Sequence, residues 1–132
     1  MQLTTDRLIL REIVFEDSAV LHANSQHPEA RHYEEHPPLT PAEFEDITRW
    51  MIDMQQTQPR THYYFAIVLP DNPTYPIGSI YLTIHDAHNR QAETGYILAV
   101  PQWGNGYTTE ALREMLRFGF EDLICLFPIW LL

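Results

Sequence analysis

Two glycines separated by one residue, Gly104 and Gly106, lie between an apolar segment and an amphipathic one. Glycine reaches positive φ without steric cost, and the first amides of a helix have no intrahelical partner and lie at the positive end of its dipole. A strand, a glycine loop and a helix start in this order can present the amides of residues 105–109 to one phosphate. A loop that only needs two unusual dihedral angles would give the same pattern.

Two named phosphate motifs are excluded by the residues around these glycines. Tyr107 and Thr108 follow Gly106, where a Walker-type loop requires a lysine and then a serine or threonine. The dinucleotide-binding fingerprint requires a third glycine and a βαβ unit near its start, whereas this loop comes late in a chain of 132 residues. Any phosphate site here is therefore of another type.

The segments before the loop are typical of an antiparallel meander. Tyr63 to Leu69, Ile77 to Ile84 and Ala92 to Val100 are rich in β-branched and aromatic residues and are separated by turn-forming residues. Apolar residues, among them Leu8, Leu10 and Ile13, lie between charged ones from Arg7 to Ile13, which predicts a first strand with one wet face. Helices before the meander and one after it give α+β order, without regular βαβ alternation.

Three helices are predicted around this sheet. Asp17 is predicted to cap a short helix that ends at about Ser25. Thr40 to Glu43 forms a capping box with Pro41 at the first helical position, so a second helix starts there and ends near Gln58 and Pro59. Apolar residues at helical spacing predict one buried stripe on it: Phe44, Ile47, Trp50, Met51 and Met54. The helix after the loop is predicted to bury Leu112, Met115, Leu116, Gly119 and Phe120.

Length and charge limit the function. A chain of 132 residues is expected to form one domain with a real core. It has 18 acidic and 8 basic residues and a formal net charge of -10, which disfavours nucleic-acid binding and favours a basic peptide or an amine as partner. The single Cys125 excludes an internal disulfide. Without a signal peptide or a membrane span, a cytoplasmic protein is expected.

A metal site is not expected. His32 and His36 have the four-residue spacing of ligands on a helix, but Pro37 and Pro38 argue against a helix there and no third ligand is evident. The segment from His27 to Leu39 is instead predicted to be a loop with exposed histidines.

The chain resembles the GNAT superfamily of acetyl-CoA-dependent N-acetyltransferases, and within it the RimJ/RimL-like branch. The similarity starts at Thr5-Asp-Arg-Leu-Ile-Leu-Arg11 and continues through Phe65-Ala-Ile-Val-Leu69 and Ile77-Gly-Ser-Ile80. It is densest in Glu93-Thr-Gly-Tyr-Ile-Leu98 and Trp103-Gly-Asn-Gly-Tyr-Thr-Thr-Glu-Ala-Leu112. The resemblance implies a mainly antiparallel central sheet flanked by helices.

The resemblance also implies a site for acetyl-CoA. In that family the loop before the long helix binds the pyrophosphate of coenzyme A through backbone amides, and the preceding strand pairs with the pantetheine arm. The implied loop residues are Trp103, Gly104, Asn105, Gly106, Tyr107 and Thr108. Leu98, Ala99 and Val100 are implied along the pantetheine. The family pattern has Gln or Arg at the position of Trp103 and Gly or Ala at that of Thr108, a change that backbone binding tolerates.

Glu93 is the candidate general base. An amine must lose a proton before it attacks a thioester, and a carboxylate acting directly or through water can accept it. Members of the family often place an acidic residue near the start of this strand, and alternation puts Glu93 on the face of Gly95 and Ile97. A solvated carboxylate at a strand end explains Glu93 equally well, and His85 on the neighbouring strand is a further alternative.

The C-terminus departs from the family, which continues with a strand, a helix and two further strands. Here the helix is followed by the apolar segment Leu123 to Leu132, so the resemblance implies a C-terminally incomplete domain. No general acid is assigned, although Cys125 and Tyr107 are candidates. One hypothesis is an N-acetyltransferase acting on a primary amine, such as a peptide N-terminus. The other is an inactive module that binds coenzyme A or forms a homodimer through the apolar tail.

Overall fold

The computed structural model describes residues 1–31, 37–86 and 88–123. Its five strands are β1 (Gln2–Thr4), β2 (Ile9–Glu12), β3 (His62–Val68), β4 (Gly78–Asp86) and β5 (Gln91–Leu98). Its α-helices are α1 (Ser18–Ser25), α2 (Pro28–Arg31), α3 (Pro41–Met54) and α4 (Tyr107–Arg117). A π-helical turn, Phe118–Asp122, follows α4. Within the described ranges, no helix is both long enough and apolar enough to cross a bilayer.

The strands form one antiparallel sheet in the order β1-β2-β3-β4-β5, which confirms the predicted meander and the α+β class. Because side chains alternate along a strand, the sheet has two different faces. One face packs against α4 through a large apolar cluster that includes Phe65, Leu82 and Met115. This packing fixes the direction of α4, and therefore of its N-terminus, relative to the end of β5.

Helices α1 and α3 cover only part of the other face. Leu21 of α1 and Phe44 of α3 belong to a smaller cluster with Ala66 and Val68 of β3. Farther along the same face, the strands β4 and β5 carry half-buried and exposed residues: Ser79, Tyr81, Thr83, Glu93 and Ile97. The open half of this face is therefore lined with polar and aromatic groups.

The predicted capping box of α3 is confirmed. The Glu43 N–H donates to Thr40 Oγ1 at 3.1 Å, and the Thr40 N–H donates to Glu43 Oε1 at 2.9 Å. The bond from the Thr40 N–H, together with a hydrogen bond from the Thr40 side chain, holds the pKa of the Glu43 carboxyl below its ordinary value. The helix ends at Met54, earlier than predicted. Trp50 was wrongly predicted to be buried: it is 41% exposed, and its ring lies edge-on to His62 and Tyr64.

Asp17 is the N-cap residue of α1, as predicted, but its side chain does not bond to the helix amides. The Asp17 side chain is 1% exposed and accepts hydrogen bonds from Arg11 Nη1 at 2.9 Å and Nη2 at 2.8 Å, and from the Val14 N–H at 2.9 Å. A bidentate guanidinium outcompetes the helix amides for this carboxylate. Strand β1 and the short α2 were not predicted, because three or four residues carry no periodicity.

The buried face of α4 and of the turn after it agrees with the prediction only in part. Met115 and Gly119 are buried as predicted. Ala111 and Phe118 are buried as well, whereas Phe120 is 48% exposed. The π-helical turn adds a residue to the final turn and changes which side chains face the sheet. Most of the apolar tail, including Cys125, lies outside the described residues, as do His32 and His36.

Candidate active site

The loop between β5 and α4 has the backbone geometry of an anion site. After Leu98 a short 3₁₀ turn, Val100–Gln102, leads to Gly104 with φ of 87° and Gly106 with φ of 79°. Gly106 is the N-cap of α4, and no side chain caps the helix. The first amides of α4 are therefore left for a ligand or for water.

Arg7 connects the N-terminal segment to this loop. Its Nη1 donates to the Asn105 carbonyl at 2.9 Å, and its guanidinium lies 4.6 Å from the centre of the Tyr107 ring. Its Nε donates to Glu110 Oε1 at 2.7 Å. One side chain thus holds the middle of the loop and the first turns of α4 together.

Glu110 is the anchor of this contact. Its second oxygen accepts from the Thr5 hydroxyl and from the Arg7 N–H, the latter at 2.8 Å. Burial opposes ionisation of Glu110, but the hydrogen bonds from Thr5 and Arg7 outweigh it and hold the pKa of the carboxyl below its ordinary value. Glu110 is therefore a structural carboxylate, fully engaged within the protein.

A cleft of about 820 Å³ lies between the outer edge of β5 and the loop. It is lined by Ala30, Tyr96, Ile97, Leu98, Gln102, Trp103, Gly104, Gly106, Tyr107, Thr108 and Thr109. The Trp103 indole N–H donates to the Leu98 carbonyl at 2.9 Å. This carbonyl points away from β4, because the next amide in the chain, that of Ala99, bonds to the Ile77 carbonyl at 2.7 Å. The free edge of β5 thus faces the cleft.

Six of the nine residues predicted to bind the cofactor line this cleft: Leu98, Trp103, Gly104, Gly106, Tyr107 and Thr108. Ala99 is buried beside β4, and neither Val100 nor Asn105 is part of the lining. Asn105 instead donates from its side chain to the Gln102 carbonyl at 3.1 Å, which closes the turn. The roles of all nine residues stay predictions.

A second cleft, of about 480 Å³, lies on the other side of Gly106. It is lined by Thr5, Asp6, Arg7, Gly106, Thr109, Glu110, Arg113, Glu114 and Arg117. Arg117 is paired with Glu114 and Asp122, whereas Arg113 forms no ion pair with any described residue. The loop is therefore accessible from two sides, of which only the larger cleft runs along β5.

Glu93 lies on the open half of the sheet, on β5. Its Oε2 accepts from the Tyr81 hydroxyl at 3.0 Å, and its Oε1 lies 2.5 Å from His85 Nε2. The Glu93 side chain is 16% exposed and that of His85 is 56% exposed. Glu93 is therefore more than a solvated strand-end carboxylate, because both of its oxygens are bonded within the protein. We refer to Tyr81, His85 and Glu93 as the carboxylate cluster.

Gly95 makes the position of Tyr81 possible. The two residues are partners across β4 and β5, and a Cβ on Gly95 would lie 2.7 Å from Tyr81 Cε1. The Tyr81 ring therefore occupies the space of the missing side chain and reaches along the strand to Glu93. Burial, together with the hydrogen bond to Glu93, raises the pKa of Tyr81 to about 12, so its hydroxyl stays a donor at neutral pH.

His85 occupies a β-bulge. Ile84 pairs with Ala92 and Asp86 pairs with Gln91, so His85 has no partner on β5. A bulge bends the strand and redirects the extra side chain. Here it leaves the imidazole against Glu93, eight residues away in the chain. Sequence reasoning identified Glu93 and His85 separately but missed Tyr81, Gly95, Arg7 and Glu110, whose roles depend on contacts between distant residues.

No group of three or more His, Cys, Asp or Glu side chains is placed to hold a metal ion in residues 1–31, 37–86 and 88–123. Tyr107, a candidate general acid, lies beside Arg7 at the loop, whereas the other candidate, Cys125, is outside the described residues.

Comparison with known proteins identifies the domain. The family model for the acetyltransferase (GNAT) domain matches residues 7–127. The Bacillus licheniformis protein named Uncharacterized N-acetyltransferase p20 is 30% identical over 122 residues, which are 92% of this chain and 67% of that protein. YoaA of Bacillus subtilis, also named an uncharacterized N-acetyltransferase, is 29% identical over 126 residues and is covered to 67%.

Solved structures share the fold. RimL, a ribosomal L7/L12 alpha-N-protein acetyltransferase in complex with coenzyme A, superimposes with a TM-score of 0.79 at 16% identity, over 96% of this chain and 72% of RimL. A ribosomal-protein-serine acetyltransferase structure from Vibrio cholerae gives 0.76 at 21% identity, over 94% of this chain and 69% of that one. At these identities the comparison supports the fold alone.

Proposed function

The chain belongs to the GNAT acetyltransferase family, and we propose that it moves the acetyl group of acetyl-CoA to a primary amine, with a peptide N-terminus as the favoured acceptor. The observation that carries this proposal is the uncapped N-terminus of α4, which follows two positive-φ glycines and opens onto a cleft along the free edge of β5. Glu93 lies farther along the same strand.

The loop fits the pyrophosphate of coenzyme A. Helix amides that no side chain caps bind anions, and glycines allow close approach because they lack a Cβ. The position of Arg7 behind the loop, bonded to Asn105 and Glu110, keeps the amides in one arrangement. In this proposal Trp103 to Thr108 surround the pyrophosphate, and Leu98 to Val100 lie along the pantetheine arm.

The edge of β5 leads from the cleft to the carboxylate cluster. Ile97 lines the cleft, and Gly95 and Glu93 follow on the same face, so Glu93 lies ~13 Å from Ile97 at about 3.3 Å of rise per residue. An extended pantetheine arm can span a distance of this order. Glu93 is thus proposed at the place where the acceptor amine gives up its proton.

The net charge of the chain indicates the class of acceptor. The formal net charge of -10 attracts a cationic amine rather than an acidic substrate. RimL and the Vibrio cholerae protein are named as acting on ribosomal proteins. A peptide with a free amino terminus, which has one compact cation, is the acceptor class that these observations favour.

The proposal is tested in two steps with the purified chain. Calorimetry with acetyl-CoA and with coenzyme A is expected to give one site per chain. Acetyl transfer is then followed by thiol release, with tetrapeptides that differ in their first residue and with the same peptides blocked at the N-terminus. Release that depends on a free amino terminus is the expected result. A folded sample that binds neither thioester nor thiol would contradict the proposal, whereas binding without transfer to any peptide would favour the inactive coenzyme A-binding module.

The proposal treats residues 1–132 as one domain and includes a homodimer formed through the apolar tail, Leu123 to Leu132. The support is the composition of that tail, which is almost entirely apolar and would be hazardous if exposed. Light scattering is expected to give the mass of two chains. A monomeric mass in a sample without aggregation would contradict the dimer.

A further inference from the structure

We infer that His85 is the group that accepts the proton from the acceptor amine, and that Glu93 is a positioning residue that orients the imidazole. This inference rests on the proposed acetyl transfer and specifies the role of its two candidate groups. It is carried by the geometry of the carboxylate cluster on the open half of the sheet.

His85 is more accessible to an incoming amine than Glu93 is. A general base must come within hydrogen-bond reach of the proton that it takes. Glu93 is 16% exposed, and its two oxygens are already bonded to Tyr81 and His85. The His85 side chain is 56% exposed. An incoming amine therefore meets the exposed imidazole first, whereas Glu93 is mostly buried beneath its two hydrogen-bond partners.

The Glu93 carboxylate orients the His85 imidazole. The Glu93 carboxylate only accepts hydrogen bonds when it is ionised, so the contact of its Oε1 with His85 Nε2 requires a proton on that nitrogen. In the neutral imidazole this arrangement leaves Nδ1 with its lone pair. Tyr81 fixes the other carboxylate oxygen and so prevents the carboxylate from turning away. The cluster thus selects one tautomer and leaves Nδ1 of the exposed His85 side chain as the nitrogen that can accept a proton.

Two local irregularities of the sheet serve the contact between His85 and Glu93. The β-bulge at His85 removes it from the ladder between β4 and β5, and Gly95 clears the space in which the Tyr81 ring lies. Other titratable groups near the cluster include His62 and Tyr64 of β3, and the adjacent Asp86 of β4, whose carboxylate accepts hydrogen bonds from Asn89. Burial, and secondly the charge of His85, lower the pKa of His62. Tyr64 has its pKa raised, chiefly by burial. Glu93 is therefore the anionic partner of His85 in this cluster.

The proton balance is complete with the proposed substrates. The ammonium group of the acceptor gives one proton to Nδ1 of His85, and the freed lone pair forms the C–N bond at the acetyl carbonyl while the C–S bond breaks. The second proton lost from nitrogen goes to the departing thiolate. The products are the N-acetyl amine, the coenzyme A thiol and an imidazolium, which returns its proton to water.

The test compares His85→Ala, Glu93→Gln and the control His88→Ala, which removes an exposed histidine of the same hairpin. We expect His85→Ala to lower kcat/KM for the free tetrapeptide about 100-fold, within the usual range for general base catalysis, and to lose the acid limb of the pH profile. Added imidazole should restore part of this activity. Glu93→Gln should cost about 10-fold and respond weakly to imidazole, and His88→Ala should behave as the wild type.

Two results would overturn the inference. One is a Glu93→Gln loss as large as that of His85→Ala with no imidazole rescue, and the other is full activity of His85→Ala. Nitrogen NMR of His85 gives a readout independent of turnover: we expect the tautomer protonated at Nε2 in the wild type and a mixture in Glu93→Gln. Absence of turnover by the wild type would overturn the proposed function together with the proton transfer, whereas turnover insensitive to His85→Ala would overturn the inference alone.

Discussion

The cofactor loop and the carboxylate cluster are built in opposite ways. The loop consists of consecutive residues, Trp103 to Thr108, whose backbone is proposed to contact the cofactor. The cluster consists of three side chains from two strands, brought together by a bulge and by a glycine on the partner strand. Backbone sites depend on dihedral angles and tolerate changes of side chain, whereas the cluster depends on side-chain identity and on register. Substitutions should therefore impair the loop by changing its backbone geometry, and impair the cluster by changing its side chains or its register.

The largest expected effect comes from Gly106→Val in the loop. A β-branched residue at φ of 79° costs about 1–2 kcal/mol of backbone strain, and its Cβ would lie 3.4 Å from Arg7 Nη2. Because the same side chain would also cover the helix amides, we expect coenzyme A affinity to fall more than about 100-fold (2.7 kcal/mol or more) by calorimetry.

Gly104→Val is the matched control for this loss, because it adds the same side chain at the other positive-φ glycine. Gly104 also has positive φ, at 87°, but nothing lies within 4 Å of an added Cβ. We expect this substitution to act through backbone strain alone and to decrease coenzyme A affinity about 10-fold. Equal losses in the two variants would show that strain alone acts in this loop and that close approach to Gly106 is unimportant.

Gly95→Ala should damage the cluster and spare the loop. The added Cβ would come within 2.9 Å of two ring carbons and the hydroxyl oxygen of Tyr81, so the side chain must move away from Glu93. Overpacking of this kind costs about 1–3 kcal/mol of stability. We expect kcat to fall about 10-fold while coenzyme A affinity changes by less than about twofold.

The double variant Gly95→Ala/Tyr81→Phe checks the route of that effect. If the glycine acts by placing the tyrosine hydroxyl, the two losses in kcat will not add, because each removes the same hydrogen bond to Glu93. Additive losses would place the effect of Gly95 elsewhere in the sheet.

The same contrast explains what could be predicted from the sequence. The capping box at Thr40 and Glu43, the strands β3 to β5 and the glycine loop all depend on neighbouring residues, and the structure confirms them. The resemblance to the GNAT family is confirmed by the match over residues 7–127. Patterns of neighbouring residues therefore predict most of the fold and the backbone conformation of the loop.

What could not be predicted depends on contacts between distant residues. Arg7 and Glu110 are 103 residues apart, and no spacing rule connects them. The exposure of Trp50 follows from where α3 lies on β3, and the exposure of Phe120 follows from the π-helical turn after α4. The bulge at His85 depends on the register of two strands, which alternation alone leaves undetermined.

A smaller effect is expected when the anchor of the loop is changed by Glu110→Gln. The folded-state pKa of Glu110 lies below its ordinary value of 4.5, so its ionisation stabilises the protein above that pH, and this stabilisation is lost as the pH falls through the folded-state pKa. Loss of charge-assisted hydrogen bonds from Thr5 and Arg7 should lower the free energy of unfolding by about 1–2 kcal/mol at pH 7. In denaturant titrations the difference from the wild type should shrink below pH 4.5.

Glu45→Gln is the control for that experiment. Glu45 belongs to an exposed ion pair with Arg49 on α3 and is 44% exposed. Surface pairs of this kind contribute little, so we expect a change within about 0.5 kcal/mol at neutral pH. An equal pH dependence in both variants would mean that net charge, rather than the anchor at Glu110, determines acid stability.

The smallest expected effect concerns the side chain at which the loop meets the free edge of β5. The Trp103 indole N–H bonds to the Leu98 carbonyl, a position that the pantetheine arm is predicted to use. Trp103→Phe keeps an aromatic ring but removes this donor, so the carbonyl no longer has to exchange partners when coenzyme A binds. A net hydrogen bond contributes about 1 kcal/mol, which corresponds to affinity about fivefold tighter than that of the wild type.

Trp50→Phe is the control, because Trp50 has nearly the same exposure, 41% against 42%, but lies against His62 and Tyr64. Weaker binding by Trp103→Phe, with Trp50→Phe unchanged, would instead assign the indole a direct contact with the cofactor and make this one position of the loop dependent on its side chain.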